Sequence, residues 1–98
     1  MSQISHVRLL PWCGVDGQPA HLVTDGTESR LSRLADSIEA TQLDTGREVL
    51  RLSRAILQGL ERPTAGELFY VTQRPTECLT DALRVAESRG LRVPAYEA

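Results

Sequence analysis

The alternation of apolar and polar positions divides the chain into three zones. In the first, two extended runs, "HVRLLPW" and "PAHLVTD", flank "CGVDGQ". An Asp-Gly pair between alternating apolar runs predicts a β-hairpin, because both central positions of a type I′ turn need positive φ. With Asp16 and Gly17 as a two-residue loop, Trp12 faces His21, Leu10 faces Val23 and Arg8 faces Asp25. The other face then carries Val7, Leu9, Pro11, Cys13, Ala20 and Leu22, and its Val7/Leu9/Leu22 part is the expected buried side. Pro11 and Pro19 cannot donate ladder hydrogen bonds, so the hairpin, within residues 1–26, should be short and lie at an edge.

The second zone, residues 27–61, reads as a long amphipathic helix capped by Thr27. Leu31, Leu34, Ile38, Thr41, Thr45, Val49, Leu52 and Ile56 recur at three- and four-residue steps, and Leu43, Leu50 and Leu57 add a flanking row at steps of seven. Thr45-Gly46-Arg47-Glu48 has the form of a capping box, so a break near 44–46 is the alternative to one continuous helix. The third zone, 64–89, opens on a second box, Thr64 to Glu67. It carries a stripe of Leu68, Val71, Pro75, Cys78, Ala82 and Val85, widened by Leu79, Leu83 and Ala86. A kink is expected near Pro75 and a stop at Gly90, leaving 90–98 as a tail. So short a link between the helical zones folds them back antiparallel.

The predicted fold class is therefore α+β and α-dominated: an N-terminal β-hairpin packed on a long antiparallel helical hairpin, forming one domain over 1–98. Two helices and one hairpin cannot bury apolar stripes this wide. A second copy or another protein is expected to cover the remainder.

Composition narrows the function. The net charge is −2 and all eleven cations are arginines, which removes the surplus of positive charge that non-specific nucleic-acid binding requires. No run approaches the ~18 apolar residues of a membrane span. The N-terminus lacks a signal peptide's pattern, so a cytoplasmic location is expected. Cys13 and Cys78 form no C-x-x-C and are read as free thiols.

Candidate chemistry is thin. His6, Cys13, His21 and Cys78 lack zinc-ligand spacing, and the expected register puts Cys13 and His21 on opposite faces. No nucleophile is marked by an orienting base, and no loop has a phosphate-binding pattern. Most of the carboxylate pairs have an arginine three or four residues away, the pattern of a solvated helix face. No enzyme activity and no cofactor is therefore expected. Arg47, Arg51 and Arg54 form a one-sided basic stripe, a candidate contact for an anionic partner.

At "VRLLPW", "TDGTESRLSRLADSIEATQL" and "DALRVAESRG" the chain resembles a group of small proteins from actinomycete genomes whose function is not defined. The resemblance covers most of the chain, implies a bacterial cytoplasmic origin, and carries no catalytic motif onto any residue. Pro75 departs from the plainer helical run of that group.

The expected function is a non-enzymatic interaction or regulatory module that self-associates, as a homodimer, or holds another protein. Trp12, Leu43, Leu50 and Leu57 are the expected contact residues. The alternatives are a small DNA binder using Arg47, Arg51 and Arg54, or a small-ligand or metal pocket around Trp12, His21 and Cys78.

Overall fold

A computed structural model describes residues 6–24 and 29–92. Strands β1 (His6–Cys13) and β2 (Pro19–Thr24) form an antiparallel two-stranded sheet, followed by helices α1 (Arg30–Gln58) and α2 (Ala65–Arg92). The helices pack on each other, and β1 lies against both, chiefly α2. This is a helix-dominated α+β fold with the hairpin seated on a helical pair.

Asp16 and Gly17 do occupy the left-handed region, with φ of 59° and 73°. The Gln18 N–H closes the turn onto the Val15 carbonyl at 3.2 Å. The register nevertheless differs from that of a two-residue loop. Leu9, not Trp12, faces His21; Val7 faces Val23; Arg8 faces Leu22; and Cys13 faces Pro19. The loop holds three residues, Val15 to Gly17, and the Gly14 N–H reaches the Gln18 carbonyl at 2.7 Å in register with the Cys13–Pro19 pair. The ladder slips once, between Leu9 and Cys13. Pro11, without an N–H, lies inside that irregularity. Asp25, the expected partner of Arg8, lies outside the described residues.

The buried side of β1 changes as a result. Val7 is exposed, whereas Arg8, Leu9, Leu10 and Pro11 are all buried. Helix side chains donate to the β1 backbone: the Ser88 hydroxyl to the Leu9 carbonyl at 3.1 Å, and Gln42 Nε2 and Arg84 Nη1 to the Pro11 carbonyl.

Helix α1 is continuous, so the box at Thr45–Glu48 starts nothing. Its N-cap is Ser29, whose hydroxyl oxygen accepts the Ser32 N–H at 3.1 Å; Thr27 lies outside the described residues. The box at α2 does form. The Thr64 N–H donates to Glu67 Oε1 at 2.8 Å, and the Glu67 N–H donates to the Thr64 hydroxyl at 3.1 Å. The backbone N–H bond, and then the hydroxyl, hold the Glu67 carboxyl below the usual glutamate range. The help this gives the helix start is present above the ordinary glutamate pKa and fades as pH falls through the lowered one. Helix α2 continues across Pro75 and passes through Gly90 to Arg92, so Gly90 does not end it. Residues 90–92 of the expected tail are therefore helical, and 93–98 lie outside the described residues.

The side of α1 that meets α2 and β1 is not its most apolar one. Its buried residues are Ala35, Glu39, Val49 and Ser53, with Gly46 half-buried among them. Leu31, Leu34 and Leu52, expected in the core, are exposed. Small residues let the backbones approach, and the leucines are left on both flanks of the contact. A Cβ added at Gly46 would meet only the Cys78 Cβ, at an ordinary 3.9 Å. Gly46→Ala should therefore stabilise the protein by about 0.5–1 kcal/mol, through the helix propensity regained. A thermal melt should show Tm rising by roughly 2–8 °C; a lower Tm would mean that the helices cannot accept the methyl group.

Candidate functional site

The apolar core is small: Leu9, Leu10, Ala35, Val49 and Val85 are its buried members. Most large side chains of the helices remain outside it. The Leu43/Leu50/Leu57 row runs along one flank of α1, with Leu43 half-buried, Leu50 48% exposed and Leu57 62% exposed. On α2, Leu79 and Leu83 are about equally open, at 60% and 61%, and Leu68 and Phe69 also face out.

Two of these rows converge. A groove of about 400 Å³ between the helices has Gly46, Cys78 and Ala82 among its small residues, and Leu43, Leu50 and Leu79 among its large ones. No charged side chain lines it. Along α2 the Thr72 and Thr80 hydroxyls donate back to the Leu68 and Thr76 carbonyls, at 2.8 and 2.9 Å, and Thr76 does the same to Thr72. Their donors are satisfied within the helix, and these threonines do not line the groove.

Three ion pairs join residues that neighbour the groove's lining in the chain. Arg47 bonds Asp44 at 2.6 Å, Arg51 holds Glu48 through both its Nε and Nη2, and Arg74 pairs with Glu77. The Arg51 hydrogen bonds, and then its charge, keep Glu48 below the usual glutamate range, and Glu48 in turn raises Arg51.

The structure thus brings Leu43 and Leu50 into one surface with Leu79, and places Leu57 farther along the same row. Trp12, half-buried near the end of β1, does not line this groove. Arg47, Arg51 and Arg54 do share a shallow groove of about 380 Å³. Two of the three, Arg47 and Arg51, are neutralised by carboxylates of their own helix, and no ion pair among the described residues involves Arg54. Cys78 lies in the leucine groove while His21 is exposed on β2, and neither His21 nor Trp12 lines it. Among the described residues no three His, Cys, Asp or Glu side chains are placed to hold a metal ion, and no helix is long and apolar enough to cross a membrane.

The sequence reading missed the ion-pair cluster under the hairpin. Arg8 Nη1 donates to the Ser32 carbonyl at 2.9 Å, and Nη2 bonds Asp36 at 2.6 Å and Glu39 at 3.2 Å. Arg8 and Glu39 are only 6% and 2% exposed. The available signal was a single arginine inside an apolar strand, together with two acidic residues three apart on α1. This cluster positions the hairpin on α1.

No protein-family model, curated protein or solved structure matches the chain.

Proposed function

We propose that the chain is a non-enzymatic protein-interaction module that docks through the apolar surface shared by α1 and α2. One observation carries this reading: an uncharged groove edged by Leu43, Leu50 and Leu79 lies open on a protein whose own core takes up few of its leucines. Extended apolar patches of this kind mark interaction surfaces in soluble proteins. The arginine stripe supports a nucleic-acid reading less well, because internal ion pairs at Arg47 and Arg51 cancel most of the charge a phosphate backbone would meet.

The test separates docking surface from core. Leu50→Glu and Leu79→Glu should leave the far-ultraviolet circular dichroism of dilute protein unchanged, because both side chains already face water. Loss of helix in both variants would make these leucines structural and end the interaction reading.

A further inference from the structure

We infer that the groove edged by Leu43, Leu50 and Leu79 is filled by the same groove of a second copy of this chain, the two helical pairs making a four-helix layer about a two-fold axis. This rests on the interaction reading above and names its partner.

The first support is area. Leu50, Leu57, Leu68, Phe69, Leu79 and Leu83, all on the two helices, are 47–67% exposed. An interface of standard size covers about 800 Å² on each partner, room for a set of this size, whereas a short peptide laid in the groove would leave most of it open.

The second support is shape. An interface about a two-fold axis must be complementary to itself, so one face has to carry both knobs and holes. Leu43, Leu50 and Leu79 supply the knobs, and the smaller residues Cys78 and Ala82 supply the holes between them.

The third is charge. Recognition of an acidic or basic partner would call for a rim of the opposite sign. Here the Asp44–Arg47, Glu48–Arg51 and Arg74–Glu77 pairs are each closed within one protomer. A rim neutralised in this way meets an identical rim without like-charge repulsion.

Sedimentation equilibrium of the full chain, from about 1 µM to about 300 µM, tests the inference across the range of moderate dimer affinities. The mass should approach twice the 10.8 kDa of one chain. Leu50→Glu and Leu79→Glu should each weaken association roughly 100-fold or more, because the two-fold axis buries two unpaired charges for every substitution. Leu50→Ala and Leu79→Ala, which add no charge, should weaken it about 10-fold each and serve if a charged variant does not fold. Wild-type protein at single-chain mass throughout would overturn the second copy as occupant while leaving the interaction reading standing. Dimers untouched by all four substitutions would place the contact elsewhere and also overturn the inference. Unfolded charged variants bear instead on the interaction reading itself.

Discussion

Replacing Arg8 by alanine should destabilise the protein by about 3–5 kcal/mol, the cost of breaking a buried ion pair from one side. Glu39 is almost completely enclosed, and its Oε1 accepts the Arg8 guanidinium at 3.2 Å. Asp36 is more than half open to water, so its shorter bond to Arg8 contributes less and loses less when the arginine goes. The same substitution removes the hydrogen bond to the Ser32 carbonyl and so loosens the hairpin from α1. For a domain with so small an apolar core, a loss of this size is a large share of the total stability. Urea unfolding followed by circular dichroism measures it.

A control distinguishes the charge from the packing. Converting both partners, Arg8→Met with Glu39→Met, should be far milder than Arg8→Ala, because no charge is then left in the interior. Arg8 Nε is buried with no hydrogen-bond partner, which further limits what the intact pair adds over an apolar one. If Arg8→Ala cost less than about 1 kcal/mol, the guanidinium would be a surface feature of the hairpin and not its anchor.

The elements of the fold were legible in the sequence because their signals are local. The capping box at Thr64 and Glu67 formed as its spacing requires, and the Asp16-Gly17 turn adopted the positive φ values that its residues favour. The continuity of α1 followed from an apolar phase that passes Gly46 without a jump. Register and rotation were not legible, because both depend on partners distant in the chain. The ladder slips around Pro11, and Arg8 reaches Asp36 and Glu39, 28 and 31 residues away. Helix α1 presents Ala35, Gly46 and Ser53 inward, so its leucine rows point elsewhere than an apolar stripe facing the core would predict. For the site, the step-of-seven row Leu43, Leu50, Leu57 was readable, but its neighbours on α2 were not. Only the antiparallel pairing sets Leu79 beside Leu50, and Trp12 is left outside the groove they share.

The rows left open on both helices have a direct consequence for stability. A protein that covers them with another copy of itself gains stability by mass action, since only the folded chain associates. Each hundredfold rise in concentration above the dissociation constant then adds about 2.7 kcal/mol per pair, half of it to each chain. For a domain near 100 residues that corresponds to a Tm increase of roughly 5–10 °C. The decisive measurement is thermal unfolding of the wild-type chain, followed by circular dichroism at concentrations about a hundredfold apart and reaching above the dimer dissociation constant. Apolar helix surface that one protomer cannot cover predicts a Tm that climbs with concentration over that interval; the same Tm at both ends would contradict it.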